Sequence, residues 1–219
     1  MTREPDSSST MHTYYQARAS VYDKVYGYPE RQEDLRFLER YIPEQFKDRD
    51  LIEVAAGTGY WTQFIAPQVR SVLATDANDV TLNELRGRKL PENVNTEVAD
   101  AYELETGGRT FNAAFAGCWL SHVPKDRLAG FINNLHRKLT DSAKIILLDN
   151  SIAQCERLPV TFTDTEGNTF QDRVLEDGSS HRVLKNFPTE AELRALIPKT
   201  AHDIKMVSLT HYWLFEYNL

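Results

Sequence analysis

The residues of this chain best suited to chemistry by type and spacing fall into three groups. In the first, Glu53 sits in a short apolar run, Gly57-Thr58-Gly59 follows, and Asp76 closes the next run, Ser-Val-Leu-Ala-Thr-Asp. A residue without Cβ lets the backbone press against a ligand or take a positive φ, and a carboxylate accepts two hydrogen bonds at once. That grouping suits a nucleotide-like cofactor. In the second group, Cys118 precedes His122 within one short segment. The imidazole suits a general base or a hydrogen-bond donor near neutral pH. A thiol beside it is a conceivable nucleophile, although such a cysteine more often acts as a small buried hydrophobe. In the third, Arg173 and Lys185 flank a turn at Glu176-Asp177-Gly178. A hairpin there would bring the cations near the same end and the same face, where a planar fork and a point charge grip an anion. The bland alternative is a pair of strand charges guarding an edge.

An open α/β sheet is what must position these groups. Leu51 to Tyr60 reads as a buried strand breaking through a tight turn into a helix. The helix's first amides then face a ligand at the strand's carboxyl end. Val94 to Ala99 reads as a third strand, Phe111 to Gly117 as a fourth and Ala143 to Asp149 as a fifth. Their alternation with helical segments predicts a parallel sheet with helical crossovers. Pro124 suits the first turn of the helix after the fourth strand, and Leu128, Phe131, Ile132, Leu135 and Leu139 form its buried stripe. Arg137 and Lys138 fall near its end, where cations suit the helix dipole. Residues 158–187 read as antiparallel strands, and the aromatic run 207–217 as the last strand or strands. Ahead of the sheet, Tyr15, Ala19, Tyr22 and Tyr26 recur at near-helical spacing and give one aromatic face.

Composition narrows the classes. At 219 residues and 41% hydrophobic content, this is one domain with a substantial core and an appended cap. The predicted organisation is a disordered tail at 1–10 and a single domain over 11–219. Within it lie a helical lid (11–45), a cofactor-binding core (46–150), an antiparallel substrate-capping insertion (151–187), and a C-terminal helix with the final strands (188–219). Twenty-five basic against 32 acidic side chains give a net charge of −7, which argues against a nucleic-acid partner. No apolar run approaches the roughly 20 residues needed to span a bilayer, and the N-terminus lacks an apolar signal core. Two cysteines make no disulfide framework and lack zinc-ligand spacing, so no metal is expected. The chain reads as cytoplasmic, a monomer or homodimer.

Two cofactors compete for the glycine turn. A dinucleotide fingerprint wants a third glycine where Thr62 stands, and Tyr60 and Trp61 crowd its turn. The other pattern is Glu53, Gly57-x-Gly59 and Asp76, followed by Asp100-Ala101 and Phe111 to Gly117. It resembles the class I S-adenosylmethionine methyltransferases. Ala55, where many members carry another glycine, and Asn112, where an Asp is common, depart from the pattern. The resemblance implies a Rossmann-like, seven-stranded, mostly parallel sheet with helices on both faces, an N-terminal helical lid and a small antiparallel insertion after the fifth strand. It implies S-adenosylmethionine as cofactor, S-adenosylhomocysteine as product, and no metal. Asp76 would take the ribose hydroxyls and Asp100 the adenine amino group, with Ala101 and Tyr102 on the purine. Tyr15, Arg18, Ala55, Thr58, Trp61, Ala77 and Gly117 would complete the cofactor contacts.

A closer resemblance concerns the acceptor. Tyr14-Tyr15-Gln16-Ala17-Arg18-Ala19-Ser20, Gly57-Thr58-Gly59-Tyr60-Trp61-Thr62, Trp119-Leu120-Ser121-His122-Val123-Pro124 and Arg173-Val174-Leu175-Glu176-Asp177-Gly178 form an ordered set with Arg182-Val183-Leu184-Lys185. Together they look like bacterial O-methyltransferases that esterify small phosphonates in natural-product pathways. The resemblance implies that Arg173 and Lys185 hold the phosphonate, helped by Tyr28, with Tyr22, Trp119 and His122 beside them. An anionic oxygen needs no strong base, so alignment and water exclusion do most of the work. For a neutral phenol, amine or thiol acceptor, His122 would have to take a proton. A nicotinamide oxidoreductase and a non-catalytic cofactor-binding module are the readings from other classes.

Overall fold

The computed structural model describes residues 14, 15, 18–175 and 177–219. The expected tail at 1–10, the first residues of the expected lid and Glu176 of the expected turn lie outside the described residues, as does the Ala19 side chain of the expected aromatic face.

Seven strands form the main sheet: β1 (Asp50–Val54), β2 (Ser71–Asp76), β3 (Val94–Val98), β4 (Phe111–Gly117), β5 (Leu139–Asn150), β9 (His202–Ser208) and β10 (Tyr212–Asn218). Their spatial order is β3-β2-β1-β4-β5-β10-β9. β1 to β5 run parallel, whereas β10 is antiparallel to both neighbours. The chain builds outward from β1 through β2 to β3, then returns to the other side of β1 with β4. The strand order therefore reverses between β1 and β4, and the crevice outside their carboxyl ends is where open α/β sheets bind ligands.

The sheet is covered on both faces, and side chains alternate between two cores as the period of a strand requires. Ile52 and Val54, Ala114 and Ala116, and Ile145 and Leu147 face one core, with Phe131, Ile132 and Leu135 of α4 (Lys125–His136) and Leu193 of α5 (Glu190–Leu196). Leu51, Ala113, Phe115, Ile146 and Leu148 face the other. There they meet Leu35, Leu38 and Ile42 of α1 (Gln32–Gln45), Ile65 of α2 (Thr62–Ile65), and Leu82 and Leu85 of α3 (Asp79–Arg86). Burying one such aliphatic side chain stabilises by about 1.5–3 kcal/mol.

Three details differ from the sequence reading. Pro124 is the N-cap of α4 rather than part of its first turn. Leu139 begins β5, so the helical stripe ends at Leu135. The N-terminal aromatic segment is a 3-10 helix over Ala19–Gly27. Its Tyr22 still meets Tyr15 and Tyr26 edge to face, with ring centroids 5.7 and 6.2 Å apart.

After β5, a second sheet of three antiparallel strands interrupts the first: β6 (Phe162–Thr163), β7 (Thr169–Val174) and β8 (Ser180–Leu184). Gln171, Arg173, Val183 and Leu184 are buried there, although the sheet is small. Among the described residues, no helix is long and apolar enough to cross a membrane.

Candidate active site

The site begins where β1 ends. Ala55, Gly57 and Gly59 all have positive φ (53°, 56° and 78°), so the chain turns sharply before α2. A Cβ on Gly59 would lie 2.6 Å from Leu85 Cγ, so the turn and α3 fit only if that position is bare. The Asp76 carboxylate locks the turn: Gly57 N–H donates to Oδ2 and Asn78 N–H to Oδ1, each at 2.9 Å. Asn78 in turn caps α3 through Val80 N–H at 3.0 Å. β4 ends in the same fashion, with Cys118 at φ 56°. Two non-glycine residues thus occupy left-handed backbone at the two strand ends of the crevice. Such conformations cost of order 1–3 kcal/mol each and cluster at functional sites.

Between these ends lies a cavity of about 730 Å³. Glu53, Ala55, Gly57, Thr58, Asp76 and Ala77 line its turn side, and Asp100, Ala101 and Tyr102 line it next to β3. Trp61, Gly117, Trp119 and His122 lie on the β4 side, with Tyr15 and Tyr22 of the N-terminal segment over them. Gly59 shapes the turn without facing the cavity. The three-stranded sheet contributes Asp164, Glu166, Asn168 and Phe170, and α4 contributes Asp126 and Arg127. Sequence reading missed these wall residues because only tertiary packing carries the β6–β7 turn to α4, where Lys125 N–H donates to Asn168 Oδ1 at 2.9 Å.

One carboxyl of the cavity wall is left with little stabilisation of its charge. Glu53 is buried and accepts only the Thr62 hydroxyl, at 2.7 Å, among the hydrogen bonds of the described residues. Burial pushes its pKa up to about 8, against the Thr62 bond and with help from the Asp76 charge. A carboxyl so desolvated gains most from a cation beside it. The size of the cavity suits a ligand of cofactor dimensions. Among the described residues, no cluster of His, Cys, Asp or Glu has the makings of a metal site.

His122 is held at both ring nitrogens. Nδ1 lies 2.6 Å from the Leu184 carbonyl oxygen, which can only accept, so that nitrogen carries the proton. Nε2 lies 2.7 Å from the Tyr15 hydroxyl. Burial, with Lys185 and Arg173 nearby, pulls the imidazole pKa down to about 3. Burial also pushes the Tyr15 phenol up to about 12, with Arg173 opposing, so that it stays protonated. Cys118 is likewise driven up to about 12 by burial and the Asp149 charge, which leaves it a poor nucleophile.

The expected pair of cations is split. Arg173 lies opposite His181 near the β7–β8 turn, whereas Lys185 lies past the end of β8, its N–H donating to Thr169 O at 2.8 Å. The two share a face but not an end: four strand residues separate them, roughly 13 Å at about 3.3 Å each. Lys185 is 1% exposed and spends its three ammonium protons on Ser121 Oγ (2.7 Å), Asp149 Oδ1 (2.8 Å) and Asn150 Oδ1 (3.0 Å). It offers no donor to a ligand and does not line the cavity. Arg173, also buried, donates from Nε and Nη2 to Gln171 Oε1 (3.3 and 2.8 Å), and Nη1 lies 3.4 Å from the Tyr15 hydroxyl. Among the described residues, no carboxylate pairs with it.

Two further expectations need correcting. Tyr28 does not line the cavity; its ring lies against the guanidinium groups of Arg31 and Arg157, 5.0 and 4.2 Å from the centroid. Arg18 also stays outside, donating to the Tyr14 hydroxyl at 2.5 Å.

The methyltransferase domain family matches residues 51–142. No curated protein sequence matches the chain. Among solved structures, the chain is similar to DhpI in complex with SAH, at 26% identity over 95% of each chain with a TM-score of 0.76. It is also similar to a DhpI–SAM–HEP complex, at 25% identity over 99% of each chain with a TM-score of 0.79. The N-methyltransferase NodS from Bradyrhizobium japonicum, in complex with S-adenosyl-l-homocysteine, shares 13% identity over 95% of this chain and 98% of its own, with a TM-score of 0.68. At that identity the likeness is one of fold.

Proposed function

We propose, from the premise that this chain is a class I S-adenosylmethionine-dependent methyltransferase, that it methylates an oxygen of a small anionic metabolite, a phosphonate by preference. The carrying observation is Arg173: a buried guanidinium whose partners among the described residues are the neutral Gln171, Tyr15 and Tyr14. A buried charge without a counter-charge is expensive, and an anionic ligand is the natural completion. Burial opposes its charge, but the Tyr15 and Tyr14 hydroxyls outweigh that and raise the guanidinium's proton affinity.

S-adenosylmethionine, when bound, supplies a methyl group on a positively charged sulfur. Asp76 and Glu53 would hold the cofactor's hydroxyl and ammonium groups, and Asp100 with Ala101 and Tyr102 its purine. Tyr15, Tyr22 and Tyr26 close the cavity over it and exclude water. Arg173 orients the acid without needing to touch the attacking oxygen.

A phenol or amine acceptor makes the opposite demand, because His122 must then remove a proton. An imidazole held near pKa 3 is a weak base at neutral pH, and this favours an acceptor that arrives ionised.

The test is transfer of labelled methyl to ethylphosphonate, propionate and phenol, with Arg173→Ala alongside. Phosphonate ester is expected, with KM for the acceptor rising about ten- to a hundredfold in Arg173→Ala, since a hydrogen bond to a charged group contributes about 1.5–3 kcal/mol. Transfer to phenol at a rate indifferent to Arg173→Ala would sink the anionic reading.

A further inference from the structure

The Tyr15 hydroxyl occupies a position with a defined polar pattern. Since His122 Nδ1 donates to the Leu184 carbonyl and the ring is neutral, Nε2 is a bare acceptor, and Tyr15 must donate to it across 2.7 Å. The phenol oxygen then faces Arg173 Nη1 at 3.4 Å, long for a hydrogen bond but on the accepting side. Tyr15 and His122 line the cavity and Arg173 does not, so the hydroxyl stands between the guanidinium and any ligand. Whatever replaces it must give a proton toward His122 and take one from Arg173.

We infer that the Tyr15 hydroxyl is a stand-in for the acceptor's acid group, and that the enzyme binds the acceptor as a singly protonated hydrogen phosphonate. The P–OH donates to His122 Nε2, one P–O⁻ accepts from Arg173, and the third oxygen remains for methylation. The inference rests on the phosphonate reading above and adds the protonation state and the displaced group.

The pattern discriminates between acids. An ionised carboxylate has two oxygens and no proton, so it would set a lone pair against Nε2; a sulfonate and a doubly ionised phosphonate fail likewise. A phenol fits the pattern, but Tyr15 itself shows that a phenol there keeps its proton. The charged and titratable groups that face the position are Arg173, Lys185 and Asp149 around His122, and Arg173, Tyr14, Tyr22 and Cys118 around Tyr15. The His181 ring packs behind Tyr14, 5.6 Å away. Two cations against one carboxylate leave the immediate surroundings of His122 and Tyr15 positive, which holds a monoanion, while the carboxylates elsewhere on the cavity wall oppose a dianion.

The experiment is calorimetric titration of ethylphosphonate into enzyme loaded with S-adenosylhomocysteine, from about pH 5 to about pH 9.5; phosphate monoesters lose their second proton at about 6, and an alkylphosphonate, without the electron-withdrawing ester oxygen, about one to two pH units higher. Affinity should be flat below the ligand's second ionisation and fall about tenfold per pH unit above it. With difluoromethylphosphonate, whose second ionisation lies lower, the break should move down by the same interval. A break that stays in place belongs to an enzyme group and would overturn the inference, as would affinity rising with pH. Tyr15→Phe keeps the ring and deletes the competing hydroxyl, so ethylphosphonate should bind severalfold tighter; weaker binding would make Tyr15 a direct contact and overturn the stand-in. Labelled transfer run in parallel separates the two ideas. No transfer to any phosphonate would remove the phosphonate reading and this inference together. Transfer accompanied by affinity that rises with pH would remove this inference alone.

Discussion

Lys185 Nζ lies 2.8 Å from Asp149 Oδ1, and the two side chains are 1% and 0% exposed. Ser121 joins them, its hydroxyl donating to the same Asp149 oxygen at 3.0 Å and its backbone N–H to Oδ2 at 2.9 Å. This knot ties the three-stranded sheet to the carboxyl end of β5 and to the turn that carries His122.

Removing one member of the knot should destabilise the fold rather than empty the acceptor site. Lys185→Met leaves a carboxylate buried without its counter-ion, which costs about 3–5 kcal/mol. Lys185→Met with Asp149→Asn should recover much of that loss in chemical denaturation. Burial opposes the Asp149 charge, but the Lys185 ammonium outweighs it and holds the carboxyl below its ordinary range. This stabilisation is therefore present above the unfolded carboxyl value of about 3.9 and is lost as pH falls through the lower folded one. A Lys185→Met protein of unchanged stability but lost acceptor affinity would make the lysine a ligand contact after all.

Glu53 predicts a pH dependence of opposite sign. A carboxyl raised to about 8 holds its proton more tightly folded than unfolded. Between an unfolded value of about 4.3 and that folded value, rising pH should therefore erode the stability of the ligand-free enzyme. A cation at the site favours the ionised form, so binding of S-adenosylhomocysteine, which carries an ammonium, should release a proton and tighten as pH rises to about 8. Calorimetry in buffers of different ionisation heat reads the proton directly. Equal release by Glu53→Gln would assign it elsewhere.

The main sheet was legible because its signals are local. Apolar runs such as Ile145 to Leu148 bury both faces of a strand, and the turn at Gly57 and Gly59 has few alternatives once a strand precedes it. The acceptor side was not legible, because its logic is long-range. A hairpin reading correctly put Arg173 and Lys185 on one face. The distance between them, however, is set by the pairing of Arg173 with His181, and the fate of Lys185 by Asp149, 36 positions away in sequence. Nothing local marks Tyr15 as the hydroxyl that meets His122, 107 positions on.

Ala55 tests whether the strained turn is needed as it stands. At φ 53° its Cβ incurs a cost that glycine avoids, about 1–2 kcal/mol for a left-handed residue less the entropy glycine loses on folding. Ala55→Gly should leave stability unchanged or raise it by up to about 1 kcal/mol, a rise in melting temperature of roughly 2–4 °C for a chain of this length. A clear drop would mean that the methyl group fills space against the hydrophobic core it touches.

The N-terminal segment is fastened to the glycine turn through Asp23, and this predicts how firmly the cofactor is held. Thr58, set between the two glycines, donates its hydroxyl to Asp23 Oδ1 at 2.6 Å. Arg88, just beyond α3, donates to the other Asp23 oxygen and, through Nε, to the Thr58 carbonyl at 2.5 Å. The same segment carries Tyr22 and Tyr26 over the cavity, so cutting the clasp should loosen the wall without touching Arg173 or His122. The Asp23 side chain is 44% exposed, so screening trims the effect. Asp23→Asn should weaken S-adenosylhomocysteine binding about three- to tenfold, mainly through faster dissociation, with acceptor KM little changed. Raised salt should weaken binding by the wild-type enzyme more than by Asp23→Asn. If the dissociation rate is the same in both proteins at low salt, the clasp has no hold on the cofactor.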